Sequence, residues 1–543
     1  MKKLVLTTLN ARYTHTCLAL YYLQSVLKGS RVEVEVCEFN INQSKLDIIE
    51  ALLSRKADYL AFSIYIWNAE PVRAILEEVK KLSEDTIIIL GGPEVSYQTG
   101  KWEADYIVSG NSEGVIREIL NDEAGKLKGI IAGRETSIDE LPFPYKEFSF
   151  EGKDSRYFYY ETSRGCPFRC AYCLSSRSDQ RLQYRSLEKV FSELEYFIQS
   201  GYRHIKLVDR TFNANPERSR AIWSHLVELY AKYPGSETGF HFEIHPQLLG
   251  EEDFVVLEKV PPDRFRFEIG IQTLNEEVGQ IIHRQMDWGK IEENIGKIRQ
   301  MGNIYLHLDL IAGLPGENLA SLASGFDKVI KLRSDHLQLG FLKILAGTEM
   351  EGMVDKYGII YESKPPYQVL QTHEMNWQEL GLVRRIEAIF EIYYNSQKFM
   401  ISVGILLESG ISMWSIFKGL AEYYDKQGLD LRMRDWEKCA QAFWQYVTEN
   451  GIIEKEELLD HLRLDWCKLA RSHYYPEFLR HTLLDEAREN GYKRLLERKK
   501  EEILLKPAEM RQAIFFQPVS GYYEKKEIWV FYGRPGKKQV LKL

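Results

Sequence analysis

Three of the chain's seven cysteines, Cys166, Cys170 and Cys173, stand in one short stretch, Thr162-Ser163-Arg164-Gly165-Cys166-Pro167-Phe168-Arg169-Cys170-Ala171-Tyr172-Cys173, with the spacing C-x3-C-x2-C. Three soft thiolates are one short of a closed tetrahedral zinc site. They suit an iron–sulfur cube, on which one iron would stay open to a small chelating ligand. A zinc knuckle, or three unrelated core cysteines, is the competing reading.

Such a loop needs a frame. From residue 157 onward, strand-like and helical patterns alternate, with apolar runs at 158–162, 204–208, 240–244, 264–269, 305–310 and 336–340. Six such units predict a partial (β/α)6 barrel. Polar residues stand at or near the carboxyl ends of its strands: Asp209, Arg210 and Asn213 after the second, Glu243 in the third, Gln272 after the fourth and Asp309 in the fifth. That is the face on which barrels of this kind build their sites.

Ahead of the barrel, runs at 4–6, 32–36, 59–64, 86–90 and 106–108 alternate with helical patterns and predict a doubly wound, Rossmann-like α/β domain over residues 1–132. Its strand ends carry Asn10, Arg12, Tyr13 and His15; Ser63 and Tyr65; Gly91-Gly92; and Gly110 with Glu113. Glycines at such ends let a large ligand approach the backbone. Residues 133–156, with Leu141-Pro142-Phe143-Pro144, read as a linker to a barrel at 157–350. A mainly helical domain, rich in aromatics that are core at this spacing, is expected over 363–543, closing on a β-hairpin of 513–516 against 528–531.

At 543 residues, two to four domains are expected. A net charge of −8 argues against a nucleic-acid-coating protein, and the apolar runs are far shorter than a membrane span. The four scattered cysteines, Cys17, Cys37, Cys439 and Cys467, form no disulfide framework, and a cytoplasmic protein is expected.

The cysteine loop with Tyr172, together with Val208-Asp209-Arg210-Thr211-Phe212-Asn213, Glu268-Ile269-Gly270-Ile271-Gln272-Thr273 and Asp309-Leu310-Ile311-Ala312-Gly313-Leu314-Pro315-Gly316-Glu317, resembles the radical S-adenosylmethionine (SAM) family. The preceding domain resembles the cobalamin-binding domain of one branch of it. Its Asp-x-His-x-x-Gly element, source of the lower cobalt ligand elsewhere, is replaced here by residues 10–15.

The resemblance implies three cofactors: a [4Fe-4S] cluster on Cys166, Cys170 and Cys173, SAM, and cobalamin. It places Tyr172 near adenine, and Glu243, Gln272, Asp209, Asn213 and Asp309 around SAM. Asn10, Arg12, Tyr13, Ser63, Tyr65, Gly91, Gly92, Gly110 and Glu113 would line cobalamin. With arginine in the lower-ligand place, the expectation is base-off cobalamin, its lower face shielded by Arg12 or Tyr13, since arginine keeps its proton. His283-Arg284 is expected to cap or pair at a helix end. Residues from 363 on would bear on substrate and not on cofactor loading.

The expected function is methylation of an unactivated carbon of a small molecule, with an external one-electron reductant of flavodoxin or ferredoxin type and with no nucleic acid or membrane partner. A radical cyclase or rearrangement enzyme, as on a tetrapyrrole, is the alternative. A methylthiotransferase needs three more amino-terminal cysteines, where only Cys17 and Cys37 stand. A non-catalytic cobalamin sensor sits poorly with an intact cysteine loop.

Overall fold

The computed structural model describes residues 2–122, 124–176, 182–469, 476–480, 516–519, 528–532 and 538–542. The first sheet contains β1 (Lys2–Asn10), β2 (Val32–Asn40), β3 (Tyr59–Ser63), β4 (Ile87–Gly91), β5 (Tyr106–Ser109) and β6 (Gly129–Ala132). They are all parallel, in the order β2-β1-β3-β4-β5-β6. Successive residues of β1 are buried on opposite faces. Val5 and Leu9 belong to one core, Leu4 and Leu6 to another. A strand buried on both sides is a continuous apolar run, as Leu4-Val5-Leu6 shows. The order reverses between β1 and β3, and the crevice at the carboxyl ends there is the natural ligand position of the fold. β6 extends the expected five-strand sheet by one short strand.

The second sheet contains β7 (Tyr157–Tyr160), β8 (His204–Leu207), β9 (Gly239–Glu243), β10 (Phe265–Gln272), β11 (Ile304–Ala312) and β12 (His336–Phe341), paired in sequence order and all parallel. Its strands alternate. Along β11, Ile304, Leu306, Leu308, Leu310 and Ala312 are buried, while Tyr305, His307 and Asp309 are only half-buried on the other face. The period of two sends the apolar set outward beneath the helices and the polar set inward.

Residues 133–156 are not a loose tether. Ile138, Leu141 and Tyr145 are buried. The Ile138 and Leu141 carbonyls accept from the buried Arg185, whose guanidinium also pairs with Glu193. Backbone carbonyls in a stretch without regular structure need such partners once they are covered.

A second compact unit comprises residues 326–331 and 381–543. Its described helices include Met400–Glu408, Met413–Gln427, Trp436–Glu449 and Lys455–Leu469. Trp414, Phe417, Trp436 and Phe443 are buried core, as expected of aromatics at helical spacing. Trp444 is half-buried, and Tyr474 and Tyr475 lie outside the described residues. At the end, Phe516–Val519, Ile528–Tyr532 and Lys538–Lys542 form a three-stranded antiparallel sheet in which Phe516 faces Phe531. The expected hairpin gains a third strand, and Ala513, Ile514 and Phe515 lie outside the described residues. No helix among the described residues is long and apolar enough to cross a membrane.

Candidate active site

The cysteine loop leaves β7 at the carboxyl end of the barrel. Gly165 turns it with φ +94°, a conformation glycine adopts without strain. The loop is pinned by backbone bonds: Cys173 N donates to Cys170 O at 3.0 Å, Ala171 N to Ile282 O at 3.0 Å, and Met350 N to Ala171 O at 2.9 Å. Cys170 is buried, Cys166 and Cys173 half-buried, and none of the three is in a disulfide. Among the described residues no three His, Cys, Asp or Glu side chains gather closely enough to hold one metal ion. A cube does not ask for that, because each thiolate bonds a different iron. Soft sulfur donors on one fixed loop fit it.

The strand-end residues fall into two groups. Gln272 sits at a β-bulge against β11, with φ +69°, and folds back so far that a Cβ on Gly270 would stand 2.1 Å from its Nε2. Its Oε1 is buried with no protein partner. Glu243 lies 3.7 Å from Lys206 Nζ and 3.8 Å from Arg210 Nη1, and burial, offset in part by these cations, pushes its carboxyl above the usual range. Asp309 lies 3.1 Å from His307 Nε2, yet neither atom has an aligned hydrogen bond. Burial likewise raises the Asp309 carboxyl, with His307 opposing. Each of these three residues stands on the half-buried face of its strand.

Asp209 and Asn213 do not. Asp209 is fully buried and accepts from Thr162 N at 2.9 Å, Thr162 Oγ1 at 2.5 Å and Ser163 Oγ at 2.7 Å. Burial pushes its carboxyl up to about 6 in spite of these bonds. Asn213 donates to His245 O at 2.9 Å and accepts from His245 N at 2.8 Å. Both have polar atoms engaged in holding loops together.

A cavity of about 630 Å³ opens at the carboxyl ends of β3, β4 and β5. Ser63, Tyr65, Trp67, Gly91, Gly92, Gly110 and Glu113 line it from the first sheet, and Arg164, Tyr172, Cys173 and Arg210 from the barrel. Tyr65 and Trp67 stack with centroids 4.4 Å apart. Arg164 joins the two sides: its Nη2 donates to Glu161 at 2.8 Å and to Glu113 at 3.2 Å. A Cβ on Gly110, at φ +99°, would meet only Gly133 Cα at 3.9 Å. Gly92 differs, because a Cβ there would lie 2.5 Å from Ile64 O. Packing of its own chain already demands that glycine.

Asn10, Arg12 and Tyr13 are not among the lining residues. Arg12 is exposed and Tyr13 is 74% exposed. Asn10 donates to His15 O at 3.0 Å and to Glu38 Oε1 at 3.1 Å. Glu38, on β2, also accepts from Cys17 N at 2.6 Å, Tyr21 Oη at 2.5 Å and Arg156 Nη2 at 2.8 Å. That hub fixes Asn10 and the Cys17 amide at the two ends of the 10–17 loop. His15 Nδ1 is 2.5 Å from Tyr159 Oη. The aromatic residues that line this end of the cavity are Tyr65 and Trp67.

Reasoning from sequence also missed residues. Lys206, His241, Glu268 and His336 share the polar face of the barrel strands with His307, and Glu268 lies 2.8 Å from Lys206 Nζ and 2.9 Å from His241 Nε2. The alternation in Phe240-His241-Phe242-Glu243 and Phe267-Glu268-Ile269 was the available signal. Arg284 does not cap a helix with its side chain; the guanidinium turns back to Gly270 O and Cys170.

Three families match successive parts of the chain: residues 4–120 a B12 binding domain, residues 160–327 the Radical SAM superfamily, and residues 355–528 a protein of unknown function (DUF4080). Over 442 residues the chain is 22% identical to the cobalamin-dependent radical SAM methyltransferase TokK of Streptomyces tokunonensis, spanning 69% of this chain and 64% of that protein. Over 314 residues it is 25% identical to 2-(S-pantetheinyl)-carbapenam-3-carboxylate methyltransferase of Streptantibioticus cattleyicolor, spanning 50% of this chain and 45% of that one. The chain thus spans less than two thirds of the length of these relatives.

The fold is that of the cobalamin-dependent S-adenosylmethionine radical enzyme OxsB (TM-score 0.59, 14% identity, 92% of this chain and 84% of that one). It is also that of the radical S-adenosylmethionine methyltransferase TsrM from Kitasatospora setae (TM-score 0.54, 16% identity, 68% and 79%). The cofactors of the matched domains are a [4Fe-4S] cluster with SAM and cobalamin, and the thiol loop and the cavity beside it fit them. The chain thus carries, in order, a B12-binding domain, a Radical SAM domain with its thiol-bearing loop at the mouth of a parallel barrel, and a DUF4080 region.

Proposed function

We propose that the chain is a cobalamin-dependent radical SAM methyltransferase acting on an unactivated carbon of a small molecule, with its electron drawn from an external reductant of flavodoxin or ferredoxin type. The observation that carries this reading is one cavity bounded by Ser63 and Gly91 on one side and by Tyr172 and Cys173 on the other. Methylating an unactivated carbon needs a methyl donor and a hydrogen-abstracting radical within reach of the same atom. When bound, the reduced cluster with SAM supplies the radical chemistry and cobalamin supplies the methyl group.

The chain's own residues supply position and charge. Cys166, Cys170 and Cys173 hold the cluster, and Tyr172 stands beside the adenine. Gln272 Oε1, bare and fixed by the bulge, accepts a hydrogen bond from SAM, and Glu243 takes a second donor while Lys206 and Arg210 hold it in place. Arg164, gripped by Glu161 and Glu113, fixes the spacing between the sheet edge and the cysteine loop. Ser63, Tyr65, Gly91, Gly110 and Glu113 face cobalamin. The carboxyl-terminal helical region bears on substrate, and the net charge of −8 suits a small molecule better than a nucleic acid. Free thiols and an oxygen-labile cluster suit the cytoplasm.

Anaerobic reconstitution with iron, sulfide and cobalamin, followed by SAM and a one-electron reductant, tests the reading. 5′-Deoxyadenosine and S-adenosylhomocysteine are both expected, and Cys170→Ala should abolish the first while leaving cobalamin bound. Absence of 5′-deoxyadenosine from protein with a full, reducible cluster would refute the proposal.

A further inference from the structure

Arg284 lies 114 residues from the cysteine loop in sequence and beside it in space. Its Nε donates to Gly270 O at 3.1 Å, and Nη2 donates to the same carbonyl. Nη1 is left pointing at Cys170 Sγ, 3.6 Å away. The turn that carries it is fixed from three directions. Arg284 N donates to Gly279 O at 2.7 Å, Ala171 N donates to Ile282 O at 3.0 Å, and a Cβ on Gly279 would stand 2.9 Å from Arg284 O.

Among the described residues no carboxylate pairs with Arg284, although carboxylates take Arg134, Arg164, Arg185 and Arg220 elsewhere. A guanidinium cannot give up its proton under ordinary conditions, so a full positive charge is kept beside a cysteine sulfur in a partly buried site. The carbonyl of Gly270 aims it without neutralising it.

We propose that Arg284 is a positioning residue that sets the reduction potential of the cluster by donating to the Cys170 thiolate. Adding one electron makes the cluster and its thiolates more negative. A cation hydrogen-bonded to a ligating sulfur stabilises that state more than the oxidised one and raises the midpoint potential. The electron itself comes from the external reductant. Arg284 thus lowers the demand on that reductant without touching SAM or substrate. The inference rests on the cluster reading of the cysteine loop.

The test is an anaerobic redox titration of the reconstituted full chain without SAM, followed by electron paramagnetic resonance of the reduced cluster. Iron and sulfide are counted first. Failure of the wild type to hold four irons would overturn the cluster reading itself, separately from the role of Arg284. With the cluster present, Arg284→Gln is expected to shift the midpoint to more negative potential, and Arg284→Lys, which keeps the charge and loses the fork, to shift it less. An unchanged midpoint in Arg284→Gln with a full cluster overturns the proposal. Should the glutamine variant not assemble, wild-type protein labelled with 15N-arginine decides. A weak 15N hyperfine coupling to the reduced cluster is expected, absent from labelled Arg284→Lys, and a wild type without that coupling overturns the proposal.

Discussion

The Tyr367 hydroxyl donates to Glu94 Oε1 at 2.5 Å, and Gln98 Nε2 closes the triangle at 3.1 Å from Glu94 Oε1 and 3.0 Å from Tyr367 Oη. Both partners of the short bond are buried, and Glu94 and Gln98 line the cavity beside the cysteine loop. Nearby, Lys364 reaches Glu70 at 3.0 Å, and Val369 N donates to Leu342 O at 2.9 Å. The segment just past residue 363 is therefore part of what shapes the cavity wall.

Tyr367→Phe should accordingly weaken cobalamin retention while leaving the iron count unchanged. Losing a buried hydrogen bond to a carboxyl group costs about 1–3 kcal/mol, enough for a clear loss of cobalamin on gel filtration followed by its visible absorbance. Equal retention by variant and wild type would show that the triangle is structural only.

Gly92 and Gly110 should separate in their response to a methyl group. At Gly92 an added Cβ meets Ile64 O at 2.5 Å and Ile64 N at 2.7 Å, on top of φ +104°. Backbone cannot step aside as a flexible side chain would. Gly92→Ala is expected to cost about 3 kcal/mol or more, by steric overlap and left-handed strain together. At Gly110 only the strain at φ +99° remains, and Gly110→Ala should cost about 1 kcal/mol. Thermal melts of the two variants with no cofactor added check this, and equal losses would refute it.

What could be read from sequence was local or periodic. The cysteine loop lies within eight residues, and the strand ends follow from runs whose period tells face from face. Contacts between distant segments could not be read. Cys170 and Arg284 are 114 residues apart, and Glu94 and Tyr367 are 273. Nothing in residues 10–15 shows that Glu38 on the neighbouring strand collects Asn10, Cys17 N, Tyr21 and Arg156. Asp209 and Asn213 stand where ligand contacts were expected, but buried loop amides and hydroxyls claimed them first.

Glu317 gives the stability a pH dependence of known sign. The side chain is buried, accepts from Thr273 Oγ1 at 2.6 Å, and keeps Oε2 unpartnered. Burial pushes its carboxyl up to about 7, with Thr273 and Ser321 opposing. The folded chain then binds a proton that the unfolded chain releases near pH 4.5. Stability from this group is full below that value and falls as pH rises toward 7, by about 3 kcal/mol in all. Relative to Glu317→Gln, the wild type should lose melting temperature between pH 5 and pH 8 in anaerobic scans. Parallel pH profiles for the two proteins would remove Glu317 as the source.

The last prediction concerns the lower face of cobalt. His15 follows the place expected for a lower cobalt ligand, and its Nδ1 is bound to Tyr159 Oη at 2.5 Å while its loop is held by Arg156, which donates to His15 O at 2.9 Å. Burial, with Arg12 and Lys206 adding to it, lowers its pKa, so the ring is neutral and chemically able to ligate. Its Nδ1 is already engaged by Tyr159. The cavity wall carries the stacked pair Tyr65 and Trp67 instead, with Trp67 Nε1 donating to Leu9 O at 3.2 Å. Aromatic rings give cobalt no nitrogen lone pair, since the indole nitrogen is a donor only. The bound Co(II) state should therefore show no nitrogen superhyperfine triplet in its electron paramagnetic resonance spectrum. Arg12→Ala and His15→Ala should leave that spectrum unchanged, while Trp67→Ala, which opens the wall, should let water reach the metal and shift it. A nitrogen triplet that vanishes in His15→Ala would overturn this assignment and place the histidine on cobalt.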